Sequence, residues 1–61
     1  MEKKKYGIKA YGSVDWFDSA EDMRKYLVEW MANTEGSERD RAVTAFVNLE
    51  NGITYTDTDV I

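Results

Sequence analysis

Twelve carboxylates, and no histidine or cysteine, define the chemistry open to this chain of 61 residues. Asp57 and Asp59 have the alternate spacing with which an oxygen-ligand loop for a hard cation begins. The Gly and the distant Glu that continue an EF-hand loop are missing, so Asp57-Thr58-Asp59 is expected to be the solvated, fraying end of a strand. Asp15, Asp18 and Asp22 cluster in sequence, but carboxylate-pair hydrolysis needs carboxyl groups held ~5 to 9.5 Å apart across a cleft. So short a chain has little room for one, and helix capping accounts for Asp18 and Asp22. Ser13, Ser19 and Ser37 have no histidine to activate them, and a Ser-Lys arrangement needs a buried lysine, whereas Lys9 and Lys25 read as surface residues. Gly7, Gly12, Gly36 and Gly52 are isolated and form no phosphate-binding loop. The expectation is a protein without catalytic, cofactor-binding or metal-binding residues, not an enzyme and with no small-molecule substrate.

Binding chemistry is better represented. Lys3, Lys4, Lys5 and Lys9, with Tyr11, are the types of residue that hold single-stranded nucleic acid by charge and stacking. A net charge of −4 opposes general affinity for phosphates, which makes nucleic acid the alternative and not the leading partner. The acidity itself suggests a further alternative, an inhibitor of phage or mobile-element type that presents carboxylates in place of phosphates. Alternation of sign in Glu21/Lys25/Glu29 and in Glu38/Arg39/Asp40/Arg41 weakens it, because no single negative stripe results. The basic start resembles the beginning of a signal peptide, but Lys9 and Asp15 interrupt the chain before any apolar run develops, so a cytoplasmic, non-membrane protein is expected.

These residues must be positioned by one small α+β domain spanning 1–61, with 1–4 a basic tail and 59–61 a frayed end. Alternation over residues 3–11 places Tyr6, Ile8 and Ala10 on one face of a strand. Residues 14–17 form a connector holding Trp16 and Phe17. Asp18 or Ser19 then caps a helix running from about residue 19 to about 34, with Glu21 or Asp22 completing the cap and Gly36 as the left-handed stop. Ala20, Met23, Tyr26, Leu27, Trp30 and Met31 share one arc of that helix; Glu21, Lys25, Glu29 and Ala32 lie opposite. Residues 37–41 are a charged connector.

Residues 42–58 alternate around Asn51-Gly52 and are expected to form a β-hairpin. A three-residue loop, Glu50-Asn51-Gly52, aligns Val43, Ala45, Val47, Leu49, Ile53 and Tyr55 on one apolar face. The expected architecture is β-α-β-β, a three-stranded sheet with one amphipathic helix packed on one face and the last strand central, antiparallel to the first. The uncovered face would carry Tyr11, Thr44, Phe46, Thr54 and Thr56. It is the leading candidate for binding a protein partner, or a second copy of the chain, with Trp16 and Phe17 a second contact.

Overall fold

The computed structural model describes residues 5–60. The chain is α+β, with a three-stranded mixed sheet and two helices: β1 (Tyr6–Ala10), β2 (Ser13–Phe17), α1 (Ala20–Ala32), α2 (Ser37–Glu50) and β3 (Tyr55–Asp57), followed by a 3₁₀ turn, Thr58–Val60. The sheet order is β2-β1-β3, with β1 antiparallel to β2 and parallel to β3. The central strand is therefore the first one, not the last. Its alternation sends Ile8 into a core shared with Met23, Leu27, Ala45 and Leu49, with Tyr6, Phe17, Ala20, Trp30 and Phe46 packed around it.

Helix α1 follows the expected arc. Ser19 is extended (φ −149°), and its hydroxyl accepts the Asp22 N–H at 3.2 Å, the second of the two capping arrangements. Met23 and Leu27 are buried; on the opposite side Glu21, Lys25 and Glu29 are exposed, and Ala32 is too. The helix stops at Asn33, whose N–H reaches the carbonyls of Glu29 and Trp30, three residues before Gly36. Gly36 is left-handed (φ 67°) as expected, but it begins α2 instead of ending α1.

The expected hairpin over residues 42–58 is not formed; residues 42–50 are the body of α2. Val43, Ala45, Val47 and Leu49 fit a period of two, but Ala42, Ala45, Phe46 and Leu49 fit i, i+3, i+4, i+7 equally well. The helix satisfies its own backbone hydrogen bonds and buries Ala42, Ala45 and Leu49, leaving Val43 and Val47 exposed. Asn51-Gly52 is a helix stop. The Gly52 N–H bonds the Leu49 carbonyl at 3.1 Å and the Ile53 N–H bonds the Asn48 carbonyl at 2.9 Å, a Schellman arrangement with Gly52 at φ 87°. Gly52 is thus left-handed as expected, in a different structure. Glu50 sits at the negative end of the α2 dipole, and Arg24 of α1 answers it through Nε and Nη2, both 2.9 Å from Oε2.

The β-hairpin of this protein is instead β1–β2, turning through Tyr11-Gly12 with both residues at positive φ (56° and 79°). That is the geometry of a type I′ turn, which matches the twist of the flanking strands. The connector expected at 14–17 is its second strand. For Tyr11 the left-handed conformation costs on the order of 1 kcal/mol or more. The carboxylate of Asp59 offsets that cost by accepting the Tyr11 N–H at 2.6 Å and the Gly12 N–H at 2.7 Å. Beside it the buried Thr58 hydroxyl donates to the Lys9 carbonyl at 2.7 Å. Thr58 is therefore buried where a solvated end was expected, and Asp59, exposed as expected, is tied to the hairpin tip; residues 1–4 and 61 lie outside the described residues.

The Gly12 N–H, then that of Tyr11, with Lys9 and Arg41 nearby, hold the Asp59 carboxyl below the usual aspartate range against partial desolvation. A depressed folded-state value means that the stabilisation is full above the ordinary aspartate pKa and disappears as pH falls through the depressed one. Asp59→Asn is accordingly expected to lower the melting temperature at neutral pH. The gap from wild type should close as the solution is acidified from the ordinary aspartate value downwards. A gap that stayed constant throughout that acidification would show that the Asp59 charge contributes nothing.

Candidate functional site

One face of the sheet is packed against the helices, and among the described residues no element covers the other. On the bare face, strand alternation places Gly7 and Lys9 of β1, Val14 and Trp16 of β2, and Tyr55 and Asp57 of β3. The register aligns them in two rows, Trp16-Gly7-Tyr55 and Val14-Lys9-Asp57. In the first row the Trp16 indole lies over the α-carbon of Gly7. A β-carbon at position 7 would sit 2.5 Å from Trp16 Cε3 and 2.6 Å from Cζ3, so only glycine admits the ring. Crossing the central strand in this way, Trp16 stacks on Tyr55, with centroids 5.7 Å apart and an interplanar angle of 26°.

Trp16 is 50% exposed, Tyr55 40% and Val14 41%. Two aromatic rings and a valine thus form a wet apolar surface on rigid strands, with about 0.5 to 1.5 kcal/mol of ring pairing holding the aromatics in place. In the second row Lys9 Nζ lies 4.0 Å from Asp57 Oδ2, a surface pair that adds little stability but balances the local charge. Lys5, two residues before Gly7, is exposed where the β1 alternation continues this face.

The expected candidates are distributed differently. Trp16 and Lys9 share the bare face, and Lys5 flanks it. Phe17 points to the helix side, its ring 5.2 Å from that of Tyr26, and packs against the core. Phe46 also packs against the core from α2 and is not turned outward. Thr44 lies on α2, where its hydroxyl donates to the Asp40 carbonyl at 2.9 Å. Thr56 is buried and accepts from Asn48 Nδ2 at 3.2 Å. Thr54 is half-buried just before β3, its carbonyl accepting the Gly7 N–H at 2.9 Å. The threonine surface therefore does not exist, because the strand expected to carry Thr44 is a helix and Thr56 is buried. Lys3 and Lys4 lie outside the described residues.

Tyr11 forms a separate feature at the hairpin tip. Its ring meets Trp30 edge-on at 6.4 Å, and the Arg41 guanidinium stands 5.9 Å from its centroid. Glu38 beside its hydroxyl, and then desolvation, raise its pKa above the usual tyrosine value. At 60% exposure it is accessible, but it braces the strained turn and is not part of the Trp16–Tyr55 surface.

Val14, Tyr55 and Gly7 are not among the binding residues expected from the sequence. The signal for two of them is present: Ser13-Val14-Asp15-Trp16-Phe17 alternates, and Gly7 interrupts an otherwise substituted strand. Among the described residues no group of three or more Asp or Glu is arranged to hold a metal ion, and no helix is long and apolar enough to cross a membrane.

Gly7→Ala should push the indole off the central strand and separate it from Tyr55. Lost ring pairing and gained strand propensity oppose each other, so stability should change by no more than about 1 kcal/mol. The near-ultraviolet circular dichroism of the Trp16–Tyr55 pair should collapse. An unaltered aromatic spectrum in a folded Gly7→Ala protein would contradict the close Gly7–Trp16 contact.

Comparison of the chain with protein-family models, with curated proteins and with solved structures finds no match.

Proposed function

We propose that this protein is a non-enzymatic interaction module that binds another protein through the bare face of its sheet, with Trp16, Tyr55 and Val14 as the contact. The observation that carries this reading is the stacked Trp16–Tyr55 pair, half-exposed on the one sheet face that no helix covers. Tryptophan and tyrosine dominate protein interfaces because they bury large area while losing little side-chain entropy. Among the described residues ten large apolar side chains are exposed, Trp16 and Tyr55 among them, and a partner covering the sheet would withdraw the most aromatic part of that surface from water.

The test is capture by the tagged chain from its native cell, run in parallel with Trp16→Ala after circular dichroism shows that the variant is folded. A partner retained by wild type and lost by Trp16→Ala is expected; equal retention would sink the reading. Self-association through the same face is its simplest version. Sedimentation of wild type and Trp16→Asp separates it from a foreign partner: a dimer converted to monomer supports self-association, and a monomer in both cases removes it.

A second reading rests on Lys5, which places positive charge at the edge of this face, and on Lys9, whose ammonium would exchange Asp57 for a phosphate. Single-stranded nucleic acid could stack on Trp16 while lysines follow its backbone. Quenching of tryptophan fluorescence by an oligothymidylate at low salt, weakened by added salt and by Lys9→Ala, is its expected result. No quenching at low salt would exclude it.

A further inference from the structure

The sheet has two edges that differ in kind. β3 is three residues long and runs directly into the Thr58–Val60 turn, which anchors to Lys9 and to the hairpin tip. β2 is five residues long, pairs with β1 in unbroken register from Ser13 to Phe17, and is exposed at every position except Phe17. Its outer row of backbone N–H and C=O groups has no strand beside it among the described residues. Such edges are usually blunted by lysine, proline, a bulge or a covering element. Ser13-Val14-Asp15-Trp16-Phe17 has no lysine, proline or bulge, and Asp15, a charge on its helix side, is the one guard it carries.

Resting on the interaction module proposed above, we infer that β2 takes an extended segment of a partner protein as a fourth strand, and that this segment alternates apolar residues with lysine or arginine. The alternation comes from the residues that border the edge on each side. Side chains of an added strand on the bare face would lie beside Val14 and Trp16, where apolar groups extend the existing surface. Those on the helix side would lie beside Asp15, which sits opposite Ile8 in the register and makes no ion pair among the described residues. A lysine or arginine there meets complementary charge.

Asp15 also decides against a second copy of the chain as occupant. Antiparallel β2–β2 pairing centred on the strand would bring the two Asp15 residues directly opposite each other, and facing like charges destabilise a ladder. The same carboxylate that attracts a basic strand therefore guards the edge against self-pairing.

The experiment is an amide-resolved NMR titration of the intact protein with a blocked peptide of alternating valine and lysine, about seven residues long so as to overlap all of β2. A matched peptide carries glutamate in place of lysine. The valine–lysine peptide should shift and protect from exchange the amides of residues 13–17, and the glutamate peptide should bind at least ~10-fold more weakly, as expected for charge pairs facing each other across a ladder. Asp15→Lys should reverse that preference. Equal binding of both peptides, shifts confined to the helices, or β2 amides already protected in a peptide-free dimer would each overturn the inference. Failure of the sheet-face reading would appear separately, as retention of the captured partner by Trp16→Ala.

Discussion

There is no room for a β-carbon at position 7, and the bare face of this protein depends on that. A central strand in a three-stranded sheet has neighbours on both sides, and a side chain at its middle would hold the two flanking rows apart. Gly7 removes that obstacle. Trp16 closes over the gap from β2 and meets Tyr55 of β3, so that one aromatic contact spans all three strands. Glycine weakens a strand because it packs nothing and has more freedom to lose. Here the indole supplies the missing cover, and Gly7 is buried beneath it.

Adjacent residues on β1 therefore have opposite roles. Ile8 points to the helices and anchors the core, while Gly7 points the other way and yields its space. The core is built from few large side chains, and small residues complete it: Ala42 and Ala45 are fully buried on α2. The last described residues of the fold add polar fastening. Thr58 and Asp59 bind the backbone of Lys9, Tyr11 and Gly12, which secures the end of β3 to the hairpin tip. That fastening also holds Tyr55 in the row that Trp16 reaches, linking an exposed turn to the aromatic face.

Legibility in the sequence varied with how many structures each segment could satisfy. Tyr6, Ile8 and Ala10 alternate and fit nothing else well. Ser19 with Asp22, leading into Met23, Leu27 and Trp30, fits a capped helix and nothing else. The segment from Ala42 to Glu50 fits two periods at once, and Asn51-Gly52 serves equally as a hairpin turn or a helix terminus, because both need a left-handed residue. With both signals ambiguous in the same place, local pattern could not choose between strand and helix. The true hairpin was hidden for the converse reason. Its turn is Tyr11-Gly12, and tyrosine at positive φ is not a turn signal; a carboxylate distant in sequence makes it tolerable.

By itself the sequence determined an α+β chain, the cap of its first helix, an N-terminal strand and a left-handed Gly52, since each depends on contacts within a few residues. It also determined the candidate chemistry: aromatic residues and lysines suited to binding, and no histidine or cysteine. Only the tertiary structure decided which strands pair, that residues 42–50 are helical, and which aromatics face outward. Those outcomes depend on neighbours distant in the chain. β1 can pair with only one strand on each side, the β2 hairpin takes one place and β3 the other, and residues 42–50 bury their apolar stripe as a helix. The same competition turned Phe46 toward the core and left Trp16 and Tyr55 on the surface.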